Sequence, residues 1–283
     1  MMCINPQLPH SQTRVEIPPP EWKQFRIPKR NGQWRVINDP GREHRQAIKP
    51  LMPLFATNIG DFEHGFTKAK GVHTAWGHML ARIRERRGNW LALDIADFFP
   101  SISKRRARRV ARKEWGDPTW GEIATLKGHL AQGHPLAPAI ANLASRVMKE
   151  KLARMVGSLG GEMFSYADDL TIWLPKGVSI KETIRKAAAI VRGQGFRLKA
   201  VKTVIRSSED PMPTLGAIIT KGHVAAKRSV RRRIRALLRG VLDHGRSDWA
   251  PILRGVLAWE DLPRRVDAAV VAHKGRGRYY LGI

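Results

Sequence analysis

Two adjacent aspartates, Asp168 and Asp169, lie in the middle of the apolar stretch Phe164–Trp173. Phe164 and Tyr166 alternate with small residues before the pair, and apolar residues resume after it. This pattern predicts a strand, a tight turn that holds both acids, and a second strand. Neighbouring carboxylates repel each other, more so when buried, so a cation is the natural compensation, and Mg²⁺ prefers such oxygen ligands. Taken alone, the stretch also fits an exposed hairpin turn without a metal.

The charge of the chain indicates a polyanionic partner. Lysine and arginine number 51 against 24 acidic residues, which gives a net charge of +27 over 283 residues. Such an excess favours binding to nucleic acid, with an affinity that falls steeply as salt is raised. The single cysteine, Cys3, excludes an internal disulfide and a multi-cysteine zinc site. Because the sequence has no signal peptide, lipidation signal or long apolar segment, we expect a cytoplasmic protein without membrane contact.

A third acid, Asp94, ends the short apolar run Trp90–Leu93. A carboxylate at the exit of a buried strand is costly unless something pairs with it. Capping does not explain Asp94, because Ser103 directly precedes the expected helix Lys104–Glu114 and suits that role. Two strands that bring acids to adjacent ends can form a three-carboxylate site for two Mg²⁺ ions. Such a site would activate a 3′-hydroxyl and stabilise a leaving pyrophosphate.

Basic residues near the start of the chain fall on expected loops. Asn31-Gly32 between two apolar segments predicts a hairpin that carries Lys29 and Arg35. These charges could close over a triphosphate, or they could only protect an exposed sheet edge. The basic, glycine-punctuated segment His64–Gly71 is a candidate loop for phosphate contact.

Two helical regions carry further arginines. The expected helix Lys104–Glu114 is dense in basic residues, and we select Arg105 and Arg109 as candidates for contact with primer or template. After residue 225 the composition changes to a helix with an apolar face and an arginine face that includes Arg231 and Arg235. We therefore predict a proline-rich extended arm over 1–22, a main α+β body over 23–224 with a helix near Thr119–His129, and a helical RNA-binding module over 225–283.

The order of these motifs resembles that of reverse transcriptases of the bacterial retron and group II intron type, most of all the retron branch. The matching segments run in the family's order over about residues 23 to 240: Ile27–Arg35, Leu93–Ile102, Gln132–Pro138 with Asn142, Tyr166–Asp169, Gly195–Thr203 and Leu215-Gly216. The resemblance implies a right-hand polymerase fold with fingers, a palm of antiparallel sheet and helices, and a helical thumb after residue 225. Thr74 departs from the retron pattern, which has asparagine there, and Ala137 stands where the family usually has serine.

The resemblance also implies roles for single positions. Asp94, Asp168 and Asp169 match the ligands of two Mg²⁺ ions, and Lys202 matches a candidate proton donor to pyrophosphate. Tyr166 would lie beside the primer end. The positions that match the dNTP site are Lys29 and Arg35 in the fingers, Ile95, Asp97 and Phe98 in the turn that meets the triphosphate, Phe99 as the aromatic gate against a 2′-hydroxyl, and Gln132 beside the nascent pair.

By this resemblance the chain would be an RNA-directed DNA polymerase that copies a structured cognate non-coding RNA into cDNA from dNTPs. In a retron the product is msDNA, used in anti-phage defence with a separate effector protein. Two alternatives stay open. One is another bacterial defence or group II intron-like reverse transcriptase without a retron RNA. The other is a catalytically silent, basic RNA-binding scaffold, which would have no reason to keep three carboxylates facing a polyanion.

Overall fold

A four-stranded antiparallel sheet, built from distant parts of the chain, lies at the centre of the fold. The computed structural model describes residues 2–4, 15–28, 32–85, 87–199, 203–220 and 224–226, together with Arg232, Ala236, Leu237 and Arg239. Within these residues the strands are β1 (Met2–Ile4), β2 (Val15–Ile17), β3 (Lys23–Pro28), β4 (Trp34–Asp39), β5 (Gly88–Asp94), β6 (Thr125–Leu126), β7 (His129–Leu130), β8 (Glu162–Tyr166), β9 (Asp169–Pro175), β10 (Val204–Ser207), β11 (Met212–Thr214), β12 (Ala217–Ile219) and β13 (Val224–Ala226). The helices are α1 (Arg42–Ile48), the 3-10 helix η1 (Lys49–Phe55), α2 (Val72–Glu85), α3 (Lys104–Trp115), α4 (Thr119–Ile123), α5 (Ala137–Ser158) and α6 (Ile180–Gly193).

The central sheet has the strand order β10-β5-β9-β8, and each neighbouring pair is antiparallel. Helices α3, α5 and α6 cover one face, while α2 and the small sheet β11-β12-β13 cover the other. Successive residues of β5 therefore enter different cores: Leu91 and Leu93 pack on the α5 side, and Trp90 packs on the α2 side. Burial on both faces explains why this strand is almost continuously apolar in the sequence.

Capping residues determine where the helices that support the sheet begin and end. The Ser103 side chain accepts a hydrogen bond from the Arg106 N–H at 3.2 Å and caps α3, as predicted. Ser179 caps α6 in the same way through the Glu182 N–H at 3.3 Å. Gly116 ends α3 with a φ of 77°, a left-handed conformation that glycine adopts without strain.

The helix expected near Thr119–His129 is wrong beyond Ile123. Helix α4 ends there, and a short hairpin of β6 and β7 follows. Lys127 and Gly128 form its turn with φ angles of 50° and 82°. Two consecutive residues at positive φ are what a tight two-residue hairpin turn requires. The Lys-Gly pair was thus a turn signal inside an otherwise helical pattern.

Part of the N-terminal segment 1–22 packs on the body, although we expected an extended arm. Strand β1 pairs with β2, and Ile17 is buried in the core on the α5 side. The apolar side chain of Ile17 anchors the segment because it removes apolar surface from water. Most of the module predicted over 225–283, including Arg231 and Arg235, lies outside the described residues, so its boundary stays a prediction. No described helix has both the length and the apolar character needed to cross a membrane.

Candidate active site

The ends of two neighbouring strands bring the predicted acids to one edge of the central sheet. In the register of β5 and β9, Asp94 lies directly opposite Asp169. Tyr166 of β8 lies opposite Asp169 on its other side, and Ala167 and Asp168 form the turn between β8 and β9. Directly opposed residues in such a pair have Cβ atoms roughly 4.5–5.5 Å apart. The predicted hairpin is confirmed, with Asp168 in its turn and Asp169 as the first residue of β9, and so is the predicted strand end at Asp94.

Main-chain hydrogen bonds hold the end of β5 against the turn before β9 and against the segment after α6. The Ile95 N–H donates to the Asp168 carbonyl at 3.1 Å, and the Lys199 N–H donates to the Asp94 carbonyl at 2.7 Å. Asp94 is buried, Asp168 is half-buried and Asp169 is exposed. The three acids therefore range from the interior to the solvent along one edge of the sheet.

The donor set at this edge fits the predicted metal. Asp94, Asp168 and Asp169 offer only carboxylate oxygens, which are the hard ligands that Mg²⁺ prefers. Across the described part of the chain, however, no group of three or more His, Cys, Asp or Glu side chains is gathered closely enough to hold an ion. The structure gives the backbone placement of the three acids, and two bound Mg²⁺ ions stay a prediction.

A cavity of about 270 Å³ opens between the hairpin β3–β4, the hairpin β6–β7 and the turn after β5. Three residues predicted for the dNTP site line it, namely Arg35, Asp97 and Gln132. The Asn38 N–H donates to the Gln132 carbonyl at 2.8 Å, which ties β4 to the segment before α5. Asp97 has a φ of 47°, an uncommon conformation for a residue other than glycine and one that recurs at functional sites.

The same cavity is lined by residues that sequence reasoning missed. Trp34, Lys127 and His129 are all exposed side chains on its walls. Lys127 and His129 were overlooked because we assigned the hairpin that carries them to a helix. The Lys-Gly dipeptide was the signal that would have found them.

Other predicted dNTP residues contribute mainly main chain. Ile95 and Phe98 are only 1% and 3% exposed, so their side chains belong to the core. The Phe98 ring packs against Phe99, with ring centroids 5.6 Å apart and planes at 66°, and against Phe196. Phe99 keeps part of its ring exposed. Only the backbone at Ile95 and Phe98 can face a triphosphate, which is the role that the resemblance implies for this turn.

The start of the basic segment His64–Gly71 is held against strand β8. The Ser165 N–H donates to the Phe62 carbonyl at 2.7 Å, and the His64 N–H donates to the Ser165 carbonyl at 2.8 Å. The loop thus pairs in parallel with β8, and His64 and Thr67 are buried. Such a short pairing has no periodic signal in the sequence. The buried residues of the segment pack against the body, and phosphate contact through the exposed Lys68 stays a prediction.

Helix α3 divides its arginines between structure and surface. Arg105 and Arg109 are exposed, one turn apart, and form no ion pair with the described residues. Arg106 instead points inward, where it donates to the Gln194 carbonyl at 2.8 Å and lies over the Phe196 ring at 4.6 Å. Burial lowers the pKa of Arg106 from its ordinary value, with a smaller contribution from Arg109.

The remaining predicted site residues lie beside this surface or outside the described chain. Tyr166 is half-buried, and burial raises the pKa of its hydroxyl, with a further contribution from the Glu63 carboxylate. Lys29, Lys202, Arg231 and Arg235 lie outside the described residues. Their predicted roles stay predictions.

A buried histidine pair supports the segment that carries Gln132. The Nε2 atoms of His44 and His134 lie 2.8 Å apart, His134 Nδ1 accepts from the Leu136 N–H at 3.1 Å, and His44 Nδ1 lies 2.7 Å from the Pro18 carbonyl. The chain of bonds is complete when both rings are neutral, with His134 donating to His44 and His44 donating to Pro18. Burial lowers the pKa of both rings, that of His134 well below its ordinary value.

Comparisons with known proteins agree with this geometry. The family model for reverse transcriptase (RNA-dependent DNA polymerase) matches residues 27–219. The chain is 26% identical over 239 residues to retron Mx65 reverse transcriptase of Myxococcus xanthus, covering 76% of this chain and 54% of that protein. It is also 26% identical over 239 residues to retron Ec86 reverse transcriptase of Escherichia coli, covering 80% of this chain and 70% of the relative. The chain thus spans about half the length of the first relative and more of the second.

Solved structures show the same fold at low sequence identity. Telomerase from Candida albicans in complex with the TWJ fragment of telomeric RNA has a TM-score of 0.55 and 11% identity, covering 90% of this chain and 57% of that chain. Apo telomerase from Candida tropicalis has a TM-score of 0.55 and 12% identity, covering 77% of this chain and 49% of that chain. At such identities the likeness concerns the fold alone. The predicted α+β, right-hand polymerase class is confirmed.

Proposed function

The chain belongs to the reverse transcriptase family, and on that premise we propose that it is an RNA-directed DNA polymerase. The observation that carries the proposal is the placement of Asp94 opposite Asp169, with Asp168 in the adjoining turn, within the matched region 27–219. The net charge of +27 supports a nucleic-acid partner. The protein would extend a primer with dNTPs along an RNA template.

In this function the acids would bind metal ions and the cavity residues would bind the dNTP. Asp94, Asp168 and Asp169 would hold two Mg²⁺ ions, which when bound activate the primer 3′-hydroxyl and stabilise the leaving pyrophosphate. Arg35 and Gln132 line one cavity and would bind and orient the dNTP between the two hairpins.

The template and primer would approach from the basic surface. The exposed guanidinium groups of Arg105 and Arg109 would neutralise backbone phosphates, and Tyr166 would lie beside the primer end. Phe99, half-buried behind the turn, would exclude a ribose 2′-hydroxyl. Lys29 and Lys202 are proposed for triphosphate binding and for protonation of pyrophosphate.

A Mg²⁺-dependent primer-extension assay on an RNA template tests the proposal. The wild-type protein is expected to incorporate dNTPs, while Asp168→Ala and Asp169→Ala abolish incorporation and retain RNA binding in a mobility-shift assay. Full incorporation by either variant would contradict the assignment of the acids. RNA binding without incorporation by the wild-type protein would instead favour the silent scaffold.

We further propose that the template is one structured cognate non-coding RNA, copied into msDNA in anti-phage defence with a separate effector protein in the cytoplasm. The support is the similarity to reverse transcriptases that carry the retron name. Sequencing of the nucleic acid that copurifies with the protein tests this. One abundant RNA joined covalently to cDNA is the expected result, whereas a mixture of unrelated RNAs would favour another defence or intron-like reverse transcriptase.

A further inference from the structure

A fully buried ion pair lies directly beneath the turn that carries the catalytic acids. Glu63, in the loop before α2, contacts Lys149 of α5, and both side chains are 0% exposed. Replacing such a pair by apolar residues is often neutral or stabilising, so a buried ion pair by itself is weak evidence of a contribution to stability. The contacts of the pair indicate what else it does.

Half of the bonds that Glu63 accepts come from the hairpin β8–β9. Its Oε1 accepts from the N–H groups of Gly65, at 2.7 Å, and Ala167, at 3.2 Å. Its Oε2 accepts from Lys149 Nζ and from the Ser165 hydroxyl, the latter at 2.8 Å. A carboxylate has about four acceptor positions, so these partners use them fully. Ser165 and Ala167 flank Tyr166, and Ala167 immediately precedes Asp168.

The bond to Ala167 stabilises an unusual backbone conformation. Ala167 has a φ of 57°, a left-handed conformation that residues other than glycine adopt rarely and only when the surroundings impose it. This conformation turns the chain so that Asp169 begins β9 opposite Asp94. Gly65 packs directly against this turn, because a Cβ there would lie 2.7 Å from the Ala167 nitrogen.

Lys149 connects this turn to the other strand end. Its Nζ lies 5.5 Å from the centre of the Phe98 ring, a distance at which an ammonium is attracted to an aromatic face. Phe98 belongs to the turn that follows Asp94. The pair therefore contacts both segments that carry the acids, one through Glu63 and the other through Lys149.

We propose that Glu63 and Lys149 are positioning residues that hold the turn of Asp168 and Asp169 in register with Asp94. The inference rests on the proposed polymerase function. Its physical basis is the hydrogen bond that the Glu63 carboxylate accepts from the Ala167 N–H. Loss of that acceptor lets the turn relax from its left-handed conformation. Displacement of catalytic groups by about 1 Å can lower a rate by about 10²-fold.

Two charge-neutral double variants separate positioning from stability. Glu63→Gln with Lys149→Met removes both charges but keeps an amide oxygen that can accept from Ala167. Glu63→Met with Lys149→Met removes the charges and the acceptor. We expect the first double to keep kcat within a few-fold of wild type, and the second to lose about 10²-fold in kcat. The affinity for primer-template should stay within about twofold in both, since their surfaces are unchanged.

Hydrogen exchange gives a readout that does not depend on activity. In the metal-free protein, the Ala167 amide should exchange faster in the methionine double than in the glutamine double, because only the latter keeps its acceptor. The half-buried pair Glu114 and Arg146, between α3 and the same helix α5, provides the matched control. Glu114→Met with Arg146→Met should leave both kcat and the exchange at Ala167 unchanged, whatever its effect on the melting temperature.

A third variant covers the case in which the methionine double does not fold. Glu63→Asp keeps the charge opposite Lys149 but withdraws the carboxylate by one methylene, and we expect a loss of about tenfold or more in kcat. Equal kcat and equal Ala167 exchange in the two doubles, or an unchanged kcat in Glu63→Asp, would overturn the inference. A wild-type protein that incorporates no dNTP while its Ala167 amide is protected would instead overturn the proposed polymerase function.

Discussion

Asp94 and Asp169 face each other across the antiparallel pair of β5 and β9 at the point where both strands reach the edge of the sheet. Like charges placed directly opposite each other in a sheet are destabilising. A cation bound between the two strand ends would offset that repulsion. The measurable consequence is a stabilisation by Mg²⁺ that requires Asp94.

Asp94→Asn should remove one of the predicted ligands of Mg²⁺ while it keeps the size of the side chain. Millimolar Mg²⁺ should raise the melting temperature of the wild-type protein, since a ligand that binds only the folded state stabilises it. That increase should disappear in Asp94→Asn. Thermal unfolding with and without Mg²⁺ measures both effects, and Asp210→Asn, an exposed aspartate beyond β10, is the control. An equal Mg²⁺-dependent increase in Asp94→Asn would contradict the ligand role.

Gly133→Ala should weaken dNTP binding by moving two walls of the cavity apart. Gly133 has a φ of 123°, and a Cβ there would lie 2.7 Å from the Asn38 carbonyl oxygen. The adjoining Gln132 carbonyl accepts from the Asn38 N–H, so the added methyl group pushes β4 away from Gln132. We expect the KM for dNTP to rise by about tenfold or more while kcat changes less, since the effect lies in binding of the substrate and not in the chemical step. Steady-state primer extension gives both constants.

Gly128→Ala is the matched control for this substitution. Gly128 also has a positive φ, of 82°, but a Cβ there meets no atom within 4 Å. Gly128→Ala should lose about 1 kcal/mol of stability from the strained backbone, and Gly133→Ala should lose more because of its contact with Asn38. Only Gly133→Ala should change the KM. A similar KM in the two variants would show that the contact between β4 and Gln132 does not shape the site.

The parts of the site that local sequence patterns specify could be predicted. The alternation around Asp168 and Asp169 fixes a strand–turn–strand, and the position of Asp94 at the end of an apolar run fixes a strand end. Both are properties of a few consecutive residues. The short hairpin β6–β7 was missed because strands of two residues have no periodicity, and only the Lys127-Gly128 turn marked it.

Long-range pairs could not be predicted from one sequence. Glu63 and Lys149 are 86 positions apart, and His44 and His134 are 90 apart. Each residue, taken alone, looks like an ordinary polar residue of a loop or helix. Their partners are set by the packing of α5 against the sheet and of α1 against the segment before α5, and such packing leaves no signature in local composition.

The exposed arginines of α3 should determine part of the salt dependence of nucleic-acid binding. Each phosphate contact contributes about 0.7–0.9 to the slope of log affinity against log salt concentration. Arg105→Ala and Arg109→Ala should each reduce that slope by about this amount and weaken binding alike for all sequences. Arg185→Ala on α6 is the control, because its guanidinium already binds Glu182 at 2.7 Å. Salt titrations of binding measure the slopes, and equal slopes for all three variants would exclude α3 from the interface.

The pair His44–His134 should make the stability of the protein depend on pH below neutrality. Burial lowers the pKa of both rings in the folded state, so below the unfolded value of about 6.5 the unfolded chain binds protons that the folded chain does not. The free energy of unfolding is then largest above that pH and falls as pH is lowered, by up to about 1.4 kcal/mol per pH unit for each proton. Chemical unfolding at pH 7.5 to 5.5 measures this loss.

His134→Gln should flatten this dependence, because it removes the ring with the more strongly lowered pKa. The variant loses some stability at every pH, since the bond chain from Leu136 through His44 to Pro18 is interrupted. The quantity to compare is therefore the slope of the free energy of unfolding against pH, and not its absolute value. His129→Gln, which replaces an exposed histidine on β7, should keep the wild-type slope. If His134→Gln loses stability with pH as steeply as the wild-type protein, the titrating groups lie elsewhere, and the histidine pair only joins α1 to the segment of Gln132.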